Sequence, residues 1–363
     1  MDKVSLAEQY EEISEFCDNC RFKCIYDTLY LNHMPIEMYK IILLSTENYI
    51  NTFVIQNINK LNLLGMSTFS PLFDIELLRK LGFSYQELSQ KQTDSLHKIH
   101  QYTLENKIVV MYFDSAKLMD KYTVKMINFN MLTSGIILNV NAKENQIILN
   151  SLGSKKDKYI SVDFDKFQIA RNSNIYPISP NYKAFYIYKR NNIEIKNIDR
   201  IVNNHLKQIA KNFFKGGEVK INNQIKLKQG IDAYEEVINF FDKLKRQLEE
   251  TNKVEKRVID SLFVIIANVL RRTLICSSST FNREEFGKAL EEYGKEIASD
   301  ILIKIAKDII KISKIWRNIV RNLYRANIYL NKKSDFIDMI ISEISTIKQL
   351  EIETMKGFES FDL

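Results

Sequence analysis

The chain has 363 residues, of which 45% are hydrophobic and 27% charged, and its net charge is +7. This length predicts two domains of roughly 100–200 residues each, with enough apolar material to bury a sizeable core. The low content of Gly (10) and Pro (4) predicts few turns and long helices.

The N-terminal stretch MDKVSLAEQYEEISEF is acidic and polar, so it lacks the basic and apolar regions of a secretion signal. No run reaches the roughly 20 apolar residues of a membrane span, because IDSLFVIIANVL is short and Arg271 and Arg272 follow it. We therefore expect a cytoplasmic protein without a membrane partner. Its four cysteines are then expected to be reduced thiols and not a disulfide framework.

The positive charge is unevenly distributed. Residues 196–363 hold 30 Lys and Arg against 24 Asp and Glu, whereas residues 1–195 hold 22 against 21. A surplus spread along amphipathic helices is typical of a solvated surface, but it also fits an acidic partner such as a carrier protein. No dense basic cluster or known nucleic-acid motif is present, so we expect no nucleic-acid partner.

In the first half, apolar spacing and capping residues predict several helices. Residues 51–58 and 66–73 look extended or irregular. The helices are predicted over 20–34, from Pro35 to 50, over a short stretch between the N-cap Asp74 and the C-cap Gly82, and over 84–107.

A series of predicted strands follows. KIVVMYFD, residues 107–114, is typical of a buried strand, and the apolar runs GIILNV and QIILN, joined by AKEN, predict a hairpin. Further strands are expected in KYISVDFDKF and KAFYIYKR, with a short helix whose start is capped by Asp163. Helices followed by an antiparallel meander indicate an α+β domain over residues 1–195.

From residue 197 onward only helices are predicted, which indicates an all-α bundle over 196–363. Gly216-Gly217 ends the first helix, a very long helix is expected to break near Gly294, and Trp316 occupies a core position. The apolar central helix and the amphipathic tail make a homodimer a further expectation.

The stretch Cys17-Asp-Asn-Cys20-Arg-Phe-Lys-Cys24 admits three interpretations. The cysteines can be small apolar side chains in a helix packed on the core. Alternatively, Cys20 can be a nucleophile at a helix N-terminus, where the helix dipole favours the thiolate. Third, C-x₂-C-x₃-C offers three thiolates to a metal or iron–sulfur cluster, with Cys276 or His33 as a fourth ligand, although a helix would splay them.

The chain resembles the N-terminal domain family of butirosin biosynthesis protein H, a papain-like fold linked to a helical C-terminal domain. The similar features are the early Cys20 in NCRFKCIYDTLYLNHMPIE, the strand KIVVMYFDSAKL, the hairpin GIILNVNAKENQIILNSLG, the run VDFDKFQIAR and the helical tail with KIWRNIVRNLY. The resemblance implies transfer of an acyl group from a carrier-protein thioester to the Cys and then to an amine, in specialised-metabolite (antibiotic) or peptide biosynthesis.

The family has a His just before the first hairpin strand and an Asp at the end of the second. Here residues 131–135 read MLTSG, without a His, and Asn150 stands in the second region. Asn can orient an imidazole, but none of the chain's four histidines lies at the expected place. His97 and His100 could reach Cys20 only in a rearranged fold.

Three hypotheses follow, and we expect no cofactor unless the third, a metal-binding protein, holds. The chain is a catalytically degenerate member acting as a binding or scaffold subunit, an active acyltransferase using Cys20 and Asn150, or an unrelated helical interaction protein that binds metal. Under the first two, the expected partner is an acyl carrier protein or a peptide-assembly enzyme.

Overall fold

The computed structural model describes residues 6–11, 13, 17, 19–45, 51–58, 61–67, 73–118, 132–150, 158–173, 180–188, 198–220, 225–250, 253–271, 282–329 and 332–361. Over this part of the chain it contains helices and antiparallel strands, which confirms a mixed α+β protein.

The elements as far as the last strand of the first half are α1 (Leu6–Glu11), α2 (Cys20–Leu31), α3 (Met38–Ser45), β1 (Asn51–Ile58), β2 (Leu61–Ser67), α4 (Phe73–Lys80), β3 (Ser84–Leu88), α5 (Gln90–Thr93), α6 (Leu96–Leu104), β4 (Val109–Asp114), α7 (Ser115–Leu118), β5 (Leu132–Asn141), β6 (Gln146–Asn150), β7 (Tyr159–Asp163), α8 (Phe164–Arg171) and β8 (Ala184–Tyr188). They are followed by α9 (Ile198–Lys215), β9 (Glu218–Lys220), β10 (Ile225–Gln229), α10 (Gly230–Glu250), α11 (Lys253–Leu270), α12 (Arg283–Glu296), α13 (Asp300–Ile328) and α14 (Lys333–Ser360).

The chain forms two compact units. One contains Met1–Ile41 and Asp74–Ile198, and the other contains Ile42–Phe73 and Asp199–Leu363. The division predicted from the sequence, 1–195 and 196–363, stays a prediction, and the compact units differ from it in the place of residues 42–73.

The first unit is built on a six-stranded antiparallel sheet in the order β3-β8-β4-β5-β6-β7. Strand β4 is buried along its whole length, as its continuous apolar run predicted. The hairpin of β5 and β6 is also confirmed, with Asn141 opposite Gln146. Helix α8 starts at the predicted cap, because the Asp163 carboxylate accepts a hydrogen bond from the Lys166 amide. Its Phe167 lies 5.2 Å from the ring of Phe113 on β4, within the core.

The second unit combines helices α9–α14 with a four-stranded antiparallel sheet in the order β2-β1-β10-β9. The prediction of an all-α bundle after residue 196 was therefore wrong. Strand β10 pairs with β1, from Asn51 opposite Gln229 to Ile55 opposite Ile225. In this strand Ile225 and Leu227 alternate with lysines, the period-two pattern of a strand, and the pairing partner comes from a distant part of the chain.

The long C-terminal helix breaks as predicted, a few residues after Gly294. Helix α12 ends at Glu296, Ala298 adopts a left-handed conformation with φ +52°, and Ser299 caps α13 by accepting from the Leu302 amide. Trp316 is fully buried in α13, so its predicted core position is confirmed.

Several helix boundaries differ from their predictions, and α2 ends at Leu31 instead of residue 34. The helix expected from Pro35 begins three residues later, at Met38, and residues 46–50 lie outside the described part. The first hydrogen bonds of this helix go from the amides of Lys40 and Ile41 to the Glu37 carbonyl, so Pro35 lies before the helix and not at its first position. The stretch 84–107 forms a strand and two short helices, because residues 84–88 pair with β8.

Within the described residues, no helix is both long enough and apolar enough to cross a bilayer.

Candidate functional site

Helix α2 begins at Cys20 because Asn19 caps it. The Asn19 side chain accepts hydrogen bonds from the amides of Arg21 (3.0 Å) and Phe22 (3.2 Å), which fixes the first turn. Cys20 is therefore the first helical residue, at the end where the helix dipole is positive. Cys17 lies before the helix, so the three cysteines do not share one helical face.

The Cys20 thiol faces a hydroxyl group. Its Sγ donates a hydrogen bond to Thr133 Oγ1 over 3.6 Å, and Thr133 Oγ1 in turn donates to Ser115 Oγ over 3.1 Å. Thr133 is buried near the start of β5, inside the stretch where the resemblance led us to look for a His. The structure thus brings the predicted nucleophile to the predicted strand, but the side chain beside it is threonine.

The electrostatics around Cys20 favour the neutral thiol. Burial of the sulfur raises the pKa of Cys20, and this effect exceeds the opposing effects of the Thr133 hydrogen bond and the Arg21 charge. Burial also raises the pKa of Cys24, one turn further along the helix. Both thiols are therefore protonated at neutral pH.

None of the nearby histidines replaces the missing base. His33 is exposed beyond the far end of α2, about 20 Å along the helix axis from Cys20. His97 is exposed on α6, and His100 lies 3.5 Å from Thr103 through its Nδ1. Within the described residues, no hydrogen bond or ion pair links Cys20 with any of these three. His205 belongs to α9 in the other unit.

The Asn150 side chain forms hydrogen bonds at both its oxygen and its nitrogen. It is fully buried at the end of β6, where its Oδ1 accepts from the Ile136 amide (2.8 Å) and its Nδ2 donates to Asp27 Oδ2 (2.9 Å). The Oδ1 hydrogen bond thus lies within the β5–β6 hairpin, and the Nδ2 hydrogen bond joins the hairpin to α2.

Asp27 is the centre of a buried polar cluster that sequence reasoning missed. Its carboxylate pairs with Lys23 one turn earlier and accepts from Tyr10 OH over 3.0 Å, in addition to Asn150. Burial raises the pKa of Asp27, against the opposing effect of the Lys23 charge and these hydrogen bonds. The i, i+4 spacing of Lys23 and Asp27 was the available signal, but that spacing is usual for exposed pairs on a helix.

A second buried ion pair lies next to Cys20. Arg21 Nη2 contacts Asp74 Oδ1 at 2.5 Å, and the guanidinium lies 5.6 Å from the centre of the Tyr112 ring. Asp74 was predicted to cap a helix, but it lies inside α4, where its carboxylate is drawn to the buried Arg21. Gly82 does adopt the left-handed conformation, with φ +80°, expected at a helix C-terminus. Burial raises the pKa of Tyr112 well above its ordinary value, so the phenol stays neutral.

No group of three or more His, Cys, Asp or Glu among the described residues could hold a metal ion. Cys276, proposed as a fourth ligand, lies outside them. Neither a scan against models of known protein families nor a search of the curated proteins finds a match.

Proposed function

We propose that this chain is a catalytically degenerate relative of the papain-like acyltransferases, acting as a binding or scaffold subunit in carrier-protein-dependent biosynthesis of a specialised metabolite or peptide. The observation that carries the proposal is the Cys20–Thr133 contact. A cysteine at a helix N-terminus faces a hairpin strand, as such an enzyme would require, but its neighbour has no basicity.

The order of elements supports the papain-like part of the proposal. Cys20 starts the helix, Thr133 lies on the first strand of the hairpin and Asn150 ends the second strand. These are the three positions at which the resemblance places a nucleophile, a base and an orienting residue.

The chemistry supports the degenerate part. Attack on a thioester needs a thiolate, and an adjacent imidazole normally takes the thiol proton. The Thr133 hydroxyl cannot take that proton at neutral pH, and burial raises the pKa of Cys20. Asn150 is also occupied by Asp27 and a backbone amide, so no imidazole depends on it.

The decisive experiment is the pH dependence of iodoacetamide alkylation, measured for each cysteine by peptide mass spectrometry. We expect Cys20 to react slowly below pH 8, with an apparent pKa above the roughly 8.5 of a free thiol. Cys24 provides an internal reference for a buried thiol. A Cys20 pKa well below 8.5 would instead support an active Cys-dependent acyltransferase, and about one equivalent of bound zinc or iron would support the metal-binding alternative.

A gain-of-base variant tests the site more directly. We expect Thr133→His to lower the apparent pKa of Cys20, because an imidazole would then lie beside the sulfur. Thr133→Gln is the matched control, since it adds comparable bulk without a base. Equal alkylation profiles in the two variants would show that residue 133 is not the position of a lost base.

A further inference from the structure

Helix α13 presents a long, uniformly positive face. Seven side chains of this 29-residue helix are exposed and basic, and we call the six of them that share one side the basic stripe: Lys304, Lys307, Lys311, Lys314, Arg321 and Arg325. The other exposed residues between 304 and 325 are Arg317 and Asn318, so no exposed acid interrupts the stripe.

The six side chains share one side of the helix. Their spacing of three, four or seven residues places them within an arc of about 100°, and the stripe is about 32 Å long at 1.5 Å per residue. Asp308 lies at one margin of this arc, and Arg317 lies at the other, where it pairs with Glu284 of α12. The stripe therefore runs unbroken along about six helical turns.

The basic stripe has no acidic partners among the residues that the structure describes. None of its six side chains forms an ion pair there, whereas three acids of the adjacent α12, Glu284, Glu285 and Glu291, pair with that helix's own lysines. Helix α13 has seven basic and two acidic side chains, a surplus of five. Residues 196–363 as a whole have a surplus of six. Most of that excess charge therefore belongs to this one helix.

The ends of the stripe are apolar. Ile301 is 51% exposed before its first lysine, and Ile328 and Tyr329 are 68% and 55% exposed just beyond Arg325. An amphipathic helix lying along α13 could place acidic side chains opposite the stripe and apolar side chains at its two ends.

Other occupants fit less well. Surfaces for single-stranded nucleic acids place aromatic side chains among their basic residues, but the stripe contains none. A membrane-binding helix has a broad apolar face beside its charges, whereas apolar exposure here is confined to the ends. A second copy of the chain placed stripe against stripe would bring like charges together.

We propose that the basic stripe is a docking surface for an acidic, amphipathic helix of a protein partner. This inference rests on the proposed function as a binding subunit and assigns the face that binds. The partner helix contributes acidic residues at three- and four-residue spacing over about 21 residues, the length of the stripe.

The test uses the full chain and two fluorescein-labelled helical peptides of identical composition. One has Glu at three- and four-residue spacing on one face, and the other has the same residues distributed around the helix. The triple variant Lys307→Glu, Lys311→Glu, Lys314→Glu removes the centre of the stripe. Its control carries the same charge change at exposed lysines of α9, α10 and α14: Lys211→Glu, Lys243→Glu, Lys356→Glu.

In fluorescence anisotropy at low salt, we expect the one-faced peptide to bind several-fold more tightly than the scrambled one. The stripe variant should weaken its binding about tenfold, and the control should leave it nearly unchanged. Equal binding of the two peptides, or an equal loss in the control, would overturn the proposal. Binding of a short DNA duplex or of phosphatidylserine vesicles more tightly than the one-faced peptide would also overturn it. A wild-type dimer that dissociates in the stripe variant would do the same.

Failure of this inference is distinguishable from failure of the proposed function. An inert Cys20 without selective peptide binding would refute the docking surface alone. A reactive, low-pKa Cys20 with selective peptide binding would refute the degenerate site and leave the docking surface in place.

Discussion

Replacing Asp27 by alanine should destabilise the first unit strongly. The Asp27 side chain is fully buried, and its partner Lys23 keeps only 7% of its side-chain surface exposed. The substitution would leave the Lys23 charge buried without its counter-ion, and it would remove the carboxylate that accepts hydrogen bonds from Tyr10 OH and Asn150 Nδ2. Breaking a buried ion pair from one side costs about 3 to 5 kcal/mol. Because the effects of one cluster are not additive, we expect about 4 kcal/mol in total.

The chain provides a matched control for this substitution. Lys98 and Asp94 form an ion pair four residues apart, but their side chains are 47% and 44% exposed. Asp94→Ala should therefore cost less than about 1 kcal/mol. The double variant Lys23→Met, Asp27→Leu should recover most of the loss caused by Asp27→Ala, because it removes the unpaired charge as well.

Urea unfolding followed by far-UV circular dichroism measures these differences. The fluorescence of Trp316, the only Trp, reports on the second unit and separates its transition from that of the first. For a unit of this size, about 4 kcal/mol corresponds to a drop of about 10 °C in the midpoint of thermal unfolding. A loss below about 1 kcal/mol for Asp27→Ala, or one equal to that of Asp94→Ala, would refute the conclusion that this cluster holds α2 to the hairpin.

Three further outcomes are expected. The hydrogen bond between Thr133 and Cys20 lowers the pKa of the thiol, so removing it in Thr133→Val should raise that pKa further. Alkylation of Cys20 at pH 9 should therefore be slower in the variant than in the wild type, and faster alkylation would contradict this. The pKa of Cys20 is higher in the folded protein than in the unfolded chain, so the free energy of unfolding should fall as the pH rises from the ordinary thiol pKa towards the raised one. Urea unfolding of the wild type and of Cys20→Ser over this pH range measures the effect. Arg283→Met should lower the free energy of unfolding by about 3 to 5 kcal/mol, because it leaves Glu351 buried without its cation. Adding Glu351→Leu should restore most of this loss, and urea unfolding measures both changes.

The central strands were predictable because their sequences combine residues that favour strands with apolar runs that favour burial. Strand β4 is a continuous apolar run, and the hairpin joins two such runs through a polar turn, so pattern and structure agree. Strand β3 was missed because SYQEL has the composition of a helix and becomes a strand only through pairing with β8. Strand β10 does have the period-two pattern of a strand, but it is short and its partner β1 lies far away in sequence, so it was missed.

The candidate site was predictable only in part. The roles of Cys20 and Asn150 stay predictions, whereas the helix N-terminus at Cys20 is confirmed and is fixed by Asn19. The pairing of Arg21 with Asp74, 53 residues apart, leaves no local pattern in the sequence. The same holds for the hydrogen bond between Asp27 and Asn150, 123 residues apart, because such contacts depend on the completed fold.

The pairing of β1 with β10 constrains the order in which the protein can form during synthesis. Asn51 finds its partner at Gln229, 178 residues later in the chain. At about 5 to 20 residues per second, the ribosome needs roughly 10 to 35 seconds to supply that partner. During this interval one edge of β1 lacks the strand that covers it in the finished sheet, and an uncovered edge is a template for pairing with other chains. A fragment that stops at residue 195 would keep that exposed edge permanently.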